Sequence, residues 1–289
     1  MKYQDGVFLG LPKEFTSNES KYAVLPVPYE ATACFRKGTA KAPQAIIDVS
    51  PQMEWFDNEL RGEFFKNGIE TRPTLKAARS VDKQIENVRK AVSGIVEEEK
   101  FPIMLGGEHS ITAGAVAALA EVYPDLTVLQ IDAHADLRDE FDGQKYSHAC
   151  VMRRVLELTP NLVQVGIRSF SLEESQQCPM QIANLFTPDV IRYLPNWVDS
   201  VVAKIKGPVY ITIDMDGLDP SVAPGVGTPE PDGLNWKQVT QLLRSVFENR
   251  QVVGADIVET LPIPNNPITE FVAAKLAYKM ISYNESAEN

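Results

Sequence analysis

Histidine is scarce in this chain, at three among 289 residues. A side chain used so sparingly points to chemistry rather than bulk, since it alone titrates near neutral pH without help. Cysteine is equally rare: Cys34, Cys150 and Cys178 form an odd, scattered set without C-x-x-C spacing. That excludes a disulfide framework and suits a reducing compartment. Basic side chains are outnumbered 28 to 39, for a net charge of −11. Nucleic acid and anionic membranes, which reward clustered Lys and Arg, are therefore disfavoured as partners, and a cationic substrate fits better. No apolar stretch approaches the roughly 20 residues of a membrane span, and Met1-Lys2-Tyr3-Gln4-Asp5-Gly6 lacks the apolar core of a signal peptide. The expected location is the cytoplasm. No repeat, low-complexity tract or charged linker divides the chain, so one domain over 1–289 is expected, with a flexible tail at about 284–289.

Short apolar runs alternate with segments of helical period, the pattern of a mostly parallel sheet covered on both faces. The strands expected are Tyr22–Pro28, Pro102–Gly106, Thr127–Asp132, Val163–Arg168, Val209–Asp214 and Val252–Val258. Val81, Ile85, Val88, Val92, Ile95 and Val96 recur at helical steps. Further helices are expected at 110–122, opening on Ser110 as N-cap, and at 147–158, 189–205, 235–248 and 267–282. The first 75 residues, rich in Pro and Gly, read as loops and short elements along the sheet edge.

All three histidines lie in motifs: Gly106-Gly107-Glu108-His109-Ser110, Asp132-Ala133-His134-Ala135-Asp136 and Tyr146-Ser147-His148-Ala149-Cys150. A fourth motif, Asp214-Met215-Asp216-Gly217-Leu218-Asp219, follows an apolar run, and Glu259 follows another. Four of these sites follow strands, so they project from the carboxyl edge, where parallel sheets bind ligands. An extended backbone past the strand would put Asp132, His134 and Asp136 on one face. Asp214-x-Asp216 alone equally describes a turn, and His109 alone is more often structural. Together, four carboxylates and two imidazoles suit a pair of divalent metals, Mn²⁺ above Zn²⁺. Such a pair lowers the pKa of a shared water toward neutrality, so hydrolysis is the chemistry expected. Phosphate esters, amides and guanidinium groups all remain open as electrophiles. The extra carboxylate of Glu259 favours a planar cation held by two parallel hydrogen bonds, unless it is a surface or capping residue.

These motifs, with Asp-Met-Asp-Gly-Leu-Asp-Pro before Pro224-Gly225-Val226-Gly227-Thr228-Pro229-Glu230, resemble the ureohydrolases: arginases, agmatinases and their relatives. The likeness runs in order over about residues 25–280 and extends to Arg36-Lys37-Gly38-Thr39 and Gly166-Ile167-Arg168-Ser169. It implies an arginase-like α/β three-layer αβα sandwich and two Mn²⁺ per subunit. His109, Asp132, Asp136 and Asp214 would hold one ion, and Asp132, His134, Asp214 and Asp216 the other. Asp136 would move the proton from water to the leaving amine, His148 would shuttle it to solvent, and Glu259 would orient the guanidinium. Arginases carry an Asn two positions beyond the last Asp of the second motif; here Arg138 stands there. The sequence is thus more similar to agmatinases, implying a small cationic guanidino substrate, agmatine, and the products putrescine and urea, with Asp139, Glu140 or Asp142 near the amine end. Guanidinobutyrase, arginase or formiminoglutamase activity, with Arg138 holding a carboxylate, remains an alternative, as does an inactive metal-binding regulatory homologue. The family habit implies a homo-oligomer, trimer or hexamer.

Overall fold

The computed structural model describes residues 4–288; the first three residues of the N-terminal hexapeptide read above, and Asn289, lie outside them. In chain order the elements are β1 Tyr22–Val27, α1 Ala42–Val49, β2 Phe56–Asp57, β3 Gly62–Glu63, β4 Ile69–Thr71, α2 Val81–Glu97, β5 Phe101–Gly106 and α3 Thr112–Val122. They continue with β6 Thr127–Ile131, α4 Val151–Leu158, β7 Asn161–Val165, α5 Leu172–Gln177, α6 Pro179–Ile182, α7 Pro188–Tyr193 and α8 Trp197–Lys204. The last are β8 Val209–Asp214, α9 Trp236–Asn249, β9 Val252–Val258 and α10 Ile268–Glu288.

Among the described residues, seven strands make one sheet in the order β4-β1-β5-β9-β8-β6-β7. Every neighbouring pair is parallel. Strands buried on both faces read as continuous apolar runs, because each side of the pleat meets helices. Leu129, Ile131, Ile211 and Ile213 join the core with α1, α8, α9 and α10, whereas Val128 and Tyr210 join the core with α2, α3 and α4. The result is the three-layer αβα sandwich expected. No helix among the described residues is long and apolar enough to cross a membrane.

The differences from the sequence reading have local causes. The helix expected over 189–205 is two, α7 and α8, broken around Pro195, which forces the preceding residue out of the helical region. Ser110 does not cap a helix: its hydroxyl donates to Glu108 Oε1 at 2.5 Å, and a 3-10 turn over His109–Ile111 precedes α3. Strand β7 ends at Val165, where Gly166 takes a φ of +92°. The three-residue edge strand β4 and helix α1 are among the short elements expected along the sheet edge in the first 75 residues. The flexible tail expected from 284 is instead the last turns of α10. Asn284 and Glu285 are buried there, with Asn284 Nδ2 donating to Tyr22 Oη at 3.0 Å and Tyr22 Oη to Glu285 Oε1 at 2.7 Å. These bonds tie the polar end of the chain to β1.

Candidate metal centre

The motifs lie at the carboxyl ends of β5, β9, β8 and β6, four adjacent strands of the sheet. At the first, Gly107 N donates to Val27 O (3.0 Å) and Glu108 N to Tyr29 O (2.8 Å). A Cβ on Gly107 would stand 2.0 Å from Tyr29 O, so only glycine admits this approach. At β6, Asp132 Oδ1 accepts His134 N at 2.6 Å; at β8, Asp214 Oδ1 accepts Asp216 N at 2.9 Å. Each leading aspartate thus folds its loop into a side-chain turn. The ligands converge through these turns and not, as expected, through an extended backbone. Asp136 and Glu259 both adopt left-handed conformations, with φ of 54° and 59°. Such backbone strain persists only where surrounding bonds hold it. Here Asp136 O accepts Met152 N (3.0 Å) and Arg153 N (3.1 Å), while Glu259 N donates to Gly107 O (2.8 Å).

His109 Nδ1 lies 3.2 Å from Asp132 Oδ2, 3.3 Å from Asp136 Oδ2 and 3.4 Å from Asp214 Oδ2. His134 Nδ1 lies 3.1 Å from Asp216 Oδ2 and 3.6 Å from Asp132 Oδ1. Two groups result, His109 with Asp132 and Asp214, and His134 with Asp132 and Asp216, sharing Asp132. The other nitrogen of His109 is committed: Nε2 is 2.9 Å from Thr212 Oγ1, whose own proton goes to Asp256 Oδ1 at 2.6 Å. Thr212 must therefore accept, so Nε2 carries a hydrogen and Nδ1 is left to hold either a proton or a metal. That buried Nδ1 has no hydrogen-bond partner and faces three carboxylates. A lone pair among anions needs a cation, and this oxygen and nitrogen donor set fits a divalent metal.

The protein's own charges tell the same story. Burial, then Asp216 and Asp132, pushes Asp214 well above the carboxylate range. Burial, then Asp132, raises Asp136 to about 7, and burial raises Glu259 to about 8. Although burial opposes it, Asp132, Asp136 and Asp214 drive His109 well up, and Asp216 and Asp132 drive His134 to about 12. Against its own burial, Asp132 is held low by His109 and His134. The cluster holds protons where a metal would take their place.

A cavity of about 240 Å³ opens over the cluster, lined by His109, His134, Asp136, Asp214, Asp216 and Glu259, with Asp132 beneath it. His148 joins the same wall. Its Nδ1 and its backbone N lie 3.1 and 3.0 Å from Thr32 Oγ1, which is 3.0 Å from Glu108 Oε1. Burial lowers the His148 pKa, so its ring is neutral at pH 7. Glu259 Oε1 accepts His109 N at 2.7 Å, and the side chain lines the cavity.

All eight residues singled out in the sequence therefore meet at one site. The anionic neighbourhood expected beyond it does not form as anticipated. Asp139 turns away to Arg154 Nη2 at 2.6 Å, Glu140 is exposed, and Asp142 lines a separate cavity. The outer wall instead carries Arg138, Phe141, Phe170, Ser171 and Glu174. Arg138 sits 5.2 Å over the Phe141 ring and 3.9 Å from Glu174. Sequence reasoning also passed over Thr212 and Asp256, for which the available signal was a charged residue inside the apolar run of β9. Their arrangement predicts that Thr212→Val, equal in shape, keeps the fold but weakens divalent-metal binding about 10–100-fold. A titration showing wild-type affinity would remove Thr212 from the role of orienting His109.

The arginase family model matches residues 20–282. The chain is 40% identical to the N(1)-aminopropylagmatine ureohydrolase of Synechocystis sp., over 96% of this chain and 95% of that one. It is 35% identical to the agmatinase of Bacillus cereus, over 96% of each. The crystal structure of agmatine ureohydrolase of Thermoplasma volcanium superposes with a TM-score of 0.87 at 33% identity, covering 100% of this chain and 96% of that one. The chain belongs to the arginase family, among its agmatinase-like ureohydrolases.

Proposed function

We infer that the protein is a dinuclear manganese enzyme that hydrolyses agmatine to putrescine and urea. The observation that carries this reading is the buried His109 Nδ1, without a hydrogen-bond partner among three carboxylates, beside a second donor group that shares Asp132. His109, Asp132, Asp136 and Asp214 would hold one ion, and Asp132, His134, Asp214 and Asp216 would hold the other. When bound, the pair supplies positive charge that makes water a competent nucleophile near neutral pH. Glu259 receives the guanidinium, its Oε1 anchored by His109 N and its carboxylate lining the cavity. Asp136 takes a proton as the water oxygen attacks the guanidinium carbon, then gives it to the leaving amine nitrogen as the C–N bond breaks. Neutral His148 carries protons between this site and solvent. On this reading the enzyme works in the cytoplasm as a homo-oligomer, trimer or hexamer, in polyamine synthesis.

A second substrate, N1-aminopropylagmatine, is favoured by the 40% identity to the Synechocystis enzyme of that name. Phe170, 43% exposed on the outer wall, offers an apolar surface to a longer methylene chain. Urea release by the Mn²⁺-loaded protein separates the two readings, with arginine and guanidinobutyrate alongside and formamide release followed for formiminoglutamate. We expect the carboxylate-free substrates to exceed the others by about 10²-fold or more in kcat/KM, an order of discrimination that one charged group supplies. Preference for a carboxylate-bearing substrate would reassign Arg138 as its anchor, and silence across the panel would remove the enzymatic reading.

A further inference from the structure

Three glutamines form a one-way chain of amides from the protein surface to the shared aspartate. Gln130 and Gln164 are register partners on β6 and β7, 0% and 1% exposed. Both face the α2–α3–α4 layer, on the same side of the pleat as Val128 and Leu162. Gln130 Nε2 donates to Asp132 Oδ2 at 2.6 Å and to His134 O at 3.3 Å. Gln164 Nε2 donates to Gln130 Oε1 at 2.5 Å and to Ala135 O at 2.8 Å. Gln181, half-buried on α6, donates to Gln164 Oε1 at 2.9 Å and to Leu162 O at 3.2 Å.

The direction of this chain is fixed. Each Nε2 also meets a backbone carbonyl, which only accepts, so none of the three amides can be turned round without setting oxygen against oxygen. Each amide therefore passes one N–H inward, toward Asp132. Two such amides buried beside Val128 and Leu162 are costly unless satisfied, and a satisfied buried network fixes one geometry. Two of its branches, to His134 O and Ala135 O, hold the backbone of the loop that carries His134 and Asp136.

We propose that Gln130, Gln164 and Gln181 act as a positioning relay: they hold Asp132 in its rotamer, and with it the loop carrying His134 and Asp136, ready for metal. The inference rests on the metal reading above. Gln130 is the member that touches Asp132, and Gln164 acts through Gln130. Aligned amides polarise one another, so the outer members strengthen the bond at the inner end.

The test is Mn²⁺ titration by calorimetry on the wild type, Gln130→Met, Gln164→Met and the double variant, with unfolding of the chelated proteins followed in parallel. Wild-type binding is expected, with a loss of about 10–100-fold in Gln130→Met, the size usual for groups that orient a ligand. Gln164→Met should also lose affinity, and the double variant should bind no more weakly than Gln130→Met alone. Removing both partners of one bond leaves fewer unsatisfied groups than removing one, so the double variant keeps the fold if a single one does not. Gln181→Met, at the outer end, is a further folded probe, with an expected loss of roughly twofold or more. Equal Mn²⁺ affinity in folded variants overturns the relay while leaving the metal reading intact. Losses that multiply in the double variant also overturn it, since Gln164 would then act independently and a merely structural role would account for it. Absence of Mn²⁺ binding by the wild type overturns both, and is seen before any variant is compared.

Discussion

Asp136→Asn is expected to lower kcat by about 10³-fold or more at saturating Mn²⁺ while leaving the fold intact. Loss of a positioned proton carrier costs about 10²–10⁴-fold, and Asn cannot accept the proton that Asp136 takes from water. Three features keep the variant folded. Asn tolerates the left-handed backbone that Asp136 occupies, with φ 54°, as well as Asp does. The backbone carbonyl that accepts Met152 N and Arg153 N is unchanged. The carboxylate removed is one that burial and Asp132 have already raised to about 7, so its loss relieves repulsion. The chelated variant should therefore unfold at or slightly above the wild-type temperature. Saturating metal in the assay separates lost proton transfer from weakened binding. A variant retaining more than roughly a tenth of wild-type kcat would show that the proton moves by another route.

Chelation should do more than abolish activity: it should make stability fall as pH rises from 6.5 to 8.5. In the protein without metal, Asp136 and Glu259 keep their protons to about 7 and about 8, whereas the unfolded chain releases them near pH 4. Between those values the native state binds more protons, so its stability declines with pH. His109 and His134 are raised above 6.5 by their carboxylate neighbours and act in the same direction from pH 6.5 upward. Two groups of the site act otherwise. His148 is lowered, and its opposing contribution is complete once pH exceeds its unfolded value of about 6.5. Asp132 is lowered too, but its effect falls below about pH 4. Each group held protonated across one pH unit contributes about 1.4 kcal/mol, so the unfolding midpoint of the chelated protein should drop by several degrees. Mn²⁺ binding displaces these protons and should strengthen with pH, flattening the trend. Calorimetry at pH 6.5, 7.5 and 8.5 reads both. A midpoint that is level or rises in the chelated protein would falsify the clustered-charge description of the site.

Where the sequence reading held and where it failed follow the same physical line. The strands at 209–214 and 252–258 were legible to the residue, because a strand buried on both faces is a mainly apolar run, closed at its carboxyl end by Asp214 in the first and just before Glu259 in the second. The helix over 189–205 failed at Pro195, and Ser110 failed as a cap because its hydroxyl met Glu108, a partner two residues away. The end of α10 read as a tail because Asn-Glu-Ser-Ala-Glu is polar. The burial of Asn284 and Glu285 there depends on Tyr22, which is 263 residues from Glu285 in the chain.

What the chain alone determined is whatever repeats on the scale of a few residues. Aspartate and histidine two apart at a strand end lie close together in any fold that forms the strand, so Asp132, His134, Asp136, Asp214 and Asp216 stood out from their spacing, whereas the roles of His148 and Glu259 came from the resemblance to a family. Tertiary structure decided the partners of those residues. Thr212 and Asp256 reach His109 because β8 pairs with β9 in one register. Gln164 reaches Gln130 because β7 pairs with β6 in another. Asp139 leaves the cavity because α4 brings Arg154 within 2.6 Å. Register across a parallel sheet is set by packing between segments joined through helices, and no local pattern encodes it.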